Sequence, residues 1–387
     1  MTRELLHKFF DKSIDWLFRP RTLALALLKY GAITIAAALA LDFSAQLVFN
    51  NTSDSWRFSF ATGEGVPKWV SLGFCILGGV TFAVGLIMAA YQTWVDIKKE
   101  RRQKFIVIEV RGLHNSPDSP AKDANFGDFT GQRLWVQLDF RPPSQGDLVD
   151  PKLLLTKLHS LSATIHTLSA GSDKSDVRVA VGGLAAVPAL FLAGILIDDE
   201  SHATVYDWDR NGKSWRVTDG PDDGTRFLPL AEPAAPANLD EVVLAVAISY
   251  PINEDALLQT FPSAMPVFRL TAAQLFADRH WSANKQRAMT ATFRDVVQTL
   301  LAKGVRKVHL ILAAPSSLAI RFGMAYDKRL MPDVVVYQYE KSSSPPYPWG
   351  IQMPNHGAYE GTLVTTPLIH IPLPASSNAT INSSHRA

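Results

Sequence analysis

Residues 313–323 read Ala-Ala-Pro-Ser-Ser-Leu-Ala-Ile-Arg-Phe-Gly, and an apolar run lies on either side of them. The runs, over 308–312 and 334–339, are short and rich in β-branched and aromatic residues, which predicts two strands. Proline is favoured in the first turn of a helix, so a helix is predicted over 315–326. The pattern is therefore strand, turn of small residues, helix and strand.

The first half of the chain repeats this order. A strand over 177–181 leads into the turn Gly182-Gly-Leu-Ala-Ala-Val-Pro188, and a helix with Gly194 precedes a strand with Tyr206. Small residues let a ligand approach the backbone, and the N–H groups and dipole of a helix start favour anions. Two such turns, related by pseudo-symmetry at the carboxyl ends of strands, predict one composite pocket for a ligand with several phosphates.

The other segments of this region also alternate between strand and helix patterns. Strands are predicted over 105–110, 133–140 and 242–248, and helices over 153–168 and 281–302. Residues 209–238 are predicted to form a loop with a hairpin at 214–217. The tail from 341 is predicted to be a loop with one strand at 367–371. The alternation is typical of an α/β domain with a mainly parallel sheet.

Two apolar runs precede this domain, over 22–41 and 69–95. The first contains a single charge, Lys29, and the second contains none. A helix of about 20 apolar residues spans a bilayer, and the charged lead over 1–21 is too long for a signal peptide. Lysines and arginines are frequent before the first run and just after the second but rare in the loop 42–68. Both termini and the α/β domain are therefore expected on the cytoplasmic side of the membrane.

The lead over 1–21 has an amphipathic helix pattern. Such a helix is expected either to lie in the plane of the lipid headgroups or to pack on the soluble domain. Small residues recur every fourth position in both spans, at Ala32, Ala36 and Ala40 and at Thr81, Gly85 and Ala89. Such spacing allows close helix contacts, within one chain or between chains.

Composition excludes several classes of function. The net charge is only +2, so duplex nucleic acid is not an expected partner, and a single cysteine excludes a disulfide or a cysteine zinc site within one chain. No phosphate-binding Walker motif, zinc-protease motif or nucleophile elbow is present. We therefore expect no catalytic residues, no metal and no cofactor.

The stretch 313–323 with the strand ending in Tyr339 resembles the C-terminal signature of SAVED domains, and residues 179–208 resemble the matching N-terminal unit. The resemblance implies two fused CARF-like Rossmann units over 105–345, with halves at about 105–210 and 240–340 and a tail over 346–387. A SAVED-like domain that follows two membrane spans resembles the transmembrane-SAVED effectors of anti-phage systems that signal with cyclic oligonucleotides (CBASS).

In that family a cyclic di- or trinucleotide, made after infection, binds the SAVED domain. The resemblance therefore implies a membrane effector that self-associates on binding ligand and disrupts the inner membrane, which gives defence by abortive infection. Two other functions stay open. One is a membrane-anchored enzyme that degrades cyclic oligonucleotides like a ring nuclease, and the other is a ligand-controlled scaffold without pore activity.

The predicted ligand contacts are the residues of the two turns and those at the ends of neighbouring strands. They are Arg111, Gly183, Leu184, Pro188, Tyr206, Trp208, Pro315, Ser316, Ser317, Arg321 and Tyr339. Each has a structural alternative. The serines are also suited to capping a helix, Arg321 to pairing with a surface acid, and the aromatic residues to core packing.

Overall fold

The computed structural model describes residues 23–49, 56–62, 68–113, 131–142, 148–197, 203–234, 239–275, 277–357 and 359–366, with short pieces at 121, 124–127, 129 and 144. The amphipathic lead and the strand predicted at 367–371 lie outside the described residues. The chain divides into two compact units, with the boundary between Arg101 and Arg102. Each unit is described by itself.

The first unit consists of two long helices joined by a hairpin. Helix α1 spans Leu23–Asp42, strands β1 (Phe43–Phe49) and β2 (Trp56–Thr62) pair antiparallel, and helix α2 spans Lys68–Arg102. Both helices are long and apolar enough to cross a membrane, and only 17% of the apolar stretch of α1 and 11% of that of α2 are buried. A helix that is apolar all round and exposed is suited to lipid. The hairpin replaces the loop predicted over 42–68, although Trp56, Phe58 and Phe60 already show the period of a strand.

The two helices contact each other through small residues that recur every seventh position rather than every fourth. The buried positions are Ala24, Gly31 and Ala38 on α1 and Ser71, Gly78 and Gly85 on α2. A Cβ built on Gly31 would lie 2.6 Å from the backbone nitrogen of Phe82, and one on Gly85 would lie 2.7 Å from that of Leu28. Only Gly85 of these belongs to the predicted stripes, while Ala32, Ala36 and Ala40 are exposed.

The second unit begins with a five-stranded sheet in the order β4-β3-β5-β6-β7. All neighbours are parallel except β6 and β7. Its elements are β3 (Lys104–Arg111), β4 (Gln132–Asp139), α3 (Pro151–Ser169), β5 (Val177–Leu184), α4 (Val187–Ile197), β6 (Thr204–Asp209) and β7 (Ser214–Val217). Asp150 caps α3 by accepting from the N–H of Lys152. The parallel order confirms the predicted strand–helix–strand units. The hairpin predicted at 214–217 is longer than expected, because these residues form only its second strand, β7, and β6 is the first.

A six-stranded sheet in the order β13-β12-β11-β10-β8-β9 follows. Its elements are β8 (Glu241–Ala247), α5 (Glu254–Thr260), β9 (Val267–Thr271), α6 (Ala283–Ala302), β10 (Lys307–Ala313), α7 (Ser316–Met324), β11 (Asp333–Gln338), β12 (Trp349–Gln352) and β13 (Thr362–Thr365). The prediction of a loop-like tail was wrong, because β12 and β13 extend the sheet antiparallel to β11. Helix α5 and strand β9 were not predicted, because each is too short to show a period.

The two halves share one hydrophobic core, in which helix α4 of the first half packs on helix α7 of the second. The contact is made at the two helix glycines that the sequence repeat contains. A Cβ built on Gly323 would overlap the carbonyl oxygen of Phe191, and one on Gly194 would overlap that of Ile320. Next to this contact the rings of Phe293 and Phe322 stack with centroids 4.3 Å apart. The glycines therefore place the two pseudo-symmetric helices backbone to backbone.

A buried histidine makes the stability of the second unit depend on pH. The Nδ1 atom of His309 lies 2.9 Å from the Tyr337 hydroxyl, and its Nε2 atom lies 3.1 Å from Oε2 of Glu241. Burial lowers the pKa of His309 below its ordinary value of 6.5, although Glu241 opposes this effect. The unfolded chain therefore binds a proton that the folded chain does not, and we expect stability to fall as pH drops through about 6.5.

Urea unfolding at pH 7.5 and pH 5.5 measures this effect, and His309→Gln isolates it, because the variant lacks the titrating ring. The loss of stability between the two pH values should be smaller in His309→Gln than in the unmodified protein. An equal loss in both would contradict the assignment.

Candidate ligand-binding groove

A cavity of about 540 Å³ opens where strands β3, β5 and β11 end. Its lining residues are Gly112, Leu113, Pro142, Leu148, Val149, Ala186, Gln338, Tyr339, Glu340, Lys341, Ser342 and Trp349. The carboxyl ends of parallel strands meet at one edge of each sheet, which is where α/β folds bind ligands. The volume is within the range of small-molecule sites.

A second cavity of about 370 Å³ lies on the other side of Gln338 and Tyr339, which line both. Its other walls come from Val187, from the loop after β8 and from the end of β10, including Tyr250, Asn253, Ala313 and Ala314. The first predicted turn thus borders one cavity through Ala186, and the second borders the other through Ala313 and Ala314. We call the two cavities together the β11 groove.

The two pseudo-symmetric helix starts are closed by side chains from the opposite half. Gln338, at the end of β11, accepts a hydrogen bond from the N–H of Val187 in α4 at 3.1 Å. Asp207, the residue that follows Tyr206 as Gln338 follows Tyr337, accepts from the N–H of Ser317 in α7 at 3.0 Å. Asp207 is buried, and its Oδ2 atom also lies 3.3 Å from Nε2 of His280. The start of α7 is therefore occupied by a protein carboxylate, whereas that of α4 borders the groove.

None of the predicted residues of the α7 turn lines the β11 groove, and two of them, Ser317 and Arg321, belong to a polar network around Gln286. Ser317 is fully buried, and its hydroxyl accepts from Nε2 of Gln286 at 2.9 Å. Arg321 donates through Nε to Oε1 of Gln286 at 2.7 Å, and burial lowers the pKa of its guanidinium. Pro315 is the N-cap of α7, and Ser316 is its first residue.

Predicted contacts of the first half are also largely engaged within the protein. The hydroxyl of fully buried Tyr206 donates to the carbonyl of Ile108 at 2.6 Å, and Trp208 packs edge-on against Trp215. Buried Arg111 pairs with Glu109 at 2.6 Å. A Cβ on Gly183 would overlap the carbonyl of Val110, so this glycine serves strand packing.

Leu184 and Pro188 lie close behind the groove wall. The carbonyl of Leu184 accepts from the N–H of Gly112 at 2.8 Å, and Pro188 is buried in the first turn of α4. Of the eleven predicted contacts, Tyr339 is the one that lines the groove. Tyr339 is 45% exposed, and its ring lies 5.4 Å, centroid to centroid, from that of Tyr347.

The groove combines exposed aromatic rings with few charges. Tyr250 is 55% exposed at its rim, and burial raises the pKa of Tyr347 to about 12, so that its hydroxyl stays protonated at neutral pH. The charged lining residues are Glu340, which is buried, and Lys341, which is exposed. Tyr250 was predicted at this edge from its place after the strand 242–248, whereas Gln338 and Glu340, at the end of the strand predicted over 334–339, were not predicted as groove residues. Within the described residues, no group of three or more His, Cys, Asp or Glu is placed to hold a metal ion.

Family comparisons agree with this architecture. Residues 161–353 match the family model "SMODS-associated and fused to various effectors sensor domain", abbreviated SAVED. Residues 3–155 match the "SAVED-fused 2TM effector domain". The chain is a SAVED sensor domain fused to a 2TM effector domain. The border between the two matches falls within α3, so strands β3 and β4 of the SAVED-containing unit are matched by the effector model.

Among solved structures, the chain is similar to the Cap4 SAVED/CARF-domain containing receptor of Acinetobacter baumannii with the cyclic trinucleotide 2'3'3'-cAAA, at 14% identity and a TM-score of 0.44 over 74% of this chain and 60% of that one. The same receptor with 3'3'3'-cAAA is 15% identical, with a TM-score of 0.43 over 74% of this chain and 60% of that one. The Cap4 SAVED/CARF-domain containing receptor of Moraxella osloensis is 12% identical, with a TM-score of 0.41 over 74% of this chain and 59% of that one. The chain thus spans about 60% of the length of these receptors. No curated protein sequence matches.

Proposed function

We propose that this transmembrane-SAVED protein binds a cyclic di- or trinucleotide in the β11 groove and responds by disrupting the inner membrane. The observation that carries the proposal is the groove itself, which lies at the carboxyl ends of strands from both halves of a SAVED sensor domain. Exposed Tyr339 and Tyr250 offer faces on which bases stack. A site composed of both halves suits a ring that carries more than one nucleotide.

The membrane output is proposed to require several chains. Two spans cannot enclose a pore alone, and their mutual contact already uses the small residues at heptad spacing. The exposed stripe Ala32, Ala36 and Ala40 remains for contacts between chains. Ligand-driven association of the sensor domains would raise the local concentration of the spans to about millimolar, at which weak helix contacts become populated. The distribution of basic residues supports cytoplasmic termini and a cytoplasmic sensor domain.

Ligand recovery separates this proposal from a membrane-anchored ring nuclease. The purified full-length protein is incubated with a panel of cyclic di- and trinucleotides, and the bound ring is released and analysed by mass spectrometry. An intact ring supports a sensor, and a linear product supports the enzyme. Dye leakage from proteoliposomes after ligand addition separates the effector from a scaffold, which would bind ligand and leave the membrane tight.

Removal of the aromatic ring that the two cavities share should weaken ligand binding. We expect Tyr339→Ala to lower the affinity for the preferred ring by about tenfold to a hundredfold, because stacking of a base on an aromatic side chain is typically worth about 1–3 kcal/mol. Calorimetric titration of the full-length protein measures it. Tyr359→Ala is the matched control, because Tyr359 is 86% exposed and does not line the groove. If the two variants bound the ring with equal affinity, the ligand would bind outside the β11 groove.

A further inference from the structure

Glu340 is a buried carboxylate in the wall of the larger cavity. It is 8% exposed, its Oε1 atom accepts from Nε1 of Trp349 at 2.7 Å, and its Oε2 atom accepts from the hydroxyl of Ser343 at 3.0 Å. Its own backbone N–H donates to the carbonyl of Pro346 at 2.8 Å. The side chain is therefore held in one position by the turn that follows β11.

These two hydrogen bonds leave acceptor capacity unused. An ionised carboxylate offers about four lone-pair sites, and the protein occupies two of them. Both partners are neutral, and no lysine, arginine or histidine among the described residues forms an ion pair with Glu340. Each oxygen therefore keeps a lone-pair site to which a ligand N–H that reaches this wall can donate, and hydrogen bonds to an ionised acceptor are stronger than those between neutral groups.

The charge of Glu340 also determines which part of a cyclic oligonucleotide can face it. A phosphate would meet a fixed negative charge in a partly enclosed space, where repulsion is weakly screened. The exposed cation of the lining, Lys341, is better placed for phosphate at the open rim. A base edge with an exocyclic amino group presents donors to a carboxylate, as cytosine does to acidic side chains in DNA recognition. Uracil has a carbonyl oxygen where cytosine has the amino group, and its remaining edge donor, N3–H, is flanked by two carbonyl oxygens that a carboxylate repels.

We propose that Glu340 is a specificity-determining residue that accepts a hydrogen bond from the exocyclic amino group of a ligand base and excludes rings that lack one. This inference rests on the proposed function and specifies which bases the groove takes. A substitution at position 340 can remove the charge of this wall and keep its shape. A glutamine at position 340 still accepts from Trp349 and can donate to the Ser343 oxygen, but its uncharged amide offers a weaker acceptor to the ligand.

The test compares rings with and without amino groups on the full-length protein. The probe is the tightest binder from a panel of cyclic di- and trinucleotides of the four common bases, together with the same ring after removal of its exocyclic amino groups. We expect the unmodified protein to lose about 10- to 100-fold in affinity on removal of the amino groups. Glu340→Gln should bind the intact ring more weakly and bind the two rings with similar affinity.

Ser343→Ala is the matched control, because it removes a contact of Glu340 without changing its charge, and it should keep the preference for the amino-bearing ring. The inference is overturned if the tightest ring carries uracil alone. It is also overturned if removal of the amino groups lowers the affinity of Glu340→Gln by the same factor as that of the unmodified protein. Failure of every ring to bind is a separate outcome, since it would refute the proposed function itself.

Discussion

Gly323→Ala is expected to destabilise the second unit by about 3 kcal/mol or more, although alanine is the better helix former by about 1 kcal/mol. The added methyl group would overlap the carbonyl oxygen of Phe191 in α4, and this neighbour is backbone that cannot move alone. Relief requires the two helices to separate, and both halves lose core contacts when they do. Urea unfolding of the full-length protein, followed by far-UV circular dichroism, measures the change.

Gly357→Ala is the matched control for this substitution. Gly357 is exposed, and a Cβ there would have only the Asn355 side chain at 3.7 Å. An exposed substitution of this kind is expected to change stability by no more than about 0.5 kcal/mol. If Gly323→Ala were as stable as the control, the close contact between α4 and α7 would not exist as described.

Gly85→Leu is expected to abolish ligand-triggered leakage while leaving ligand affinity unchanged. Gly85 is buried against α1, where a Cβ would lie 2.7 Å from the backbone nitrogen of Leu28 and 3.1 Å from the carbonyl oxygen of Ala24. A leucine side chain would force α1 and α2 apart, and the helix pair that is proposed to assemble would no longer present one surface. Without a hydrophobic drive between helices in lipid, close packing is the main source of their association.

Gly79→Leu provides the same change of residue on the same helix, at a position where a Cβ meets nothing within 4 Å. Leakage of a trapped dye from proteoliposomes, before and after addition of the cyclic oligonucleotide, should be normal for Gly79→Leu and absent for Gly85→Leu. Loss in both variants would indicate a general effect of added bulk, and leakage in both would remove the helix pair from the mechanism.

Much of the fold is readable from local patterns. The two spans are visible because a bilayer requires about 20 consecutive apolar residues. The strand–turn–helix–strand repeat at 177–208 and 308–339 is visible because each half has a turn with small residues, a proline at the helix start, a glycine in the helix and a tyrosine in the following strand. Strand β9, helix α5 and strands β12 and β13 were missed. Each has seven residues or fewer, so tertiary pairing rather than period defines it.

The groove was predicted in outline but not in its residues. The sequence placed two turns of small residues at the carboxyl edges of the sheets, and the cavities do border them. The repeat predicted that both turns contact phosphates of one ligand. The structure instead gives Ser317 the carboxylate of Asp207, from 110 positions earlier in the chain, as its partner.

The sequence by itself determined most helices and strands of the second unit, the membrane spans and the duplication, because residues close in the chain set hydrophobic period, helix starts and span length. Only the tertiary structure decided which side chains share a surface. It places the side chain of Gln338 against the N–H of Val187, 151 positions away in the chain, and that of Asp207 against the N–H of Ser317. It also pairs the two spans through small residues that recur every seventh position. Such contacts depend on how the two halves and the two helices pack, and a one-dimensional pattern does not carry that information.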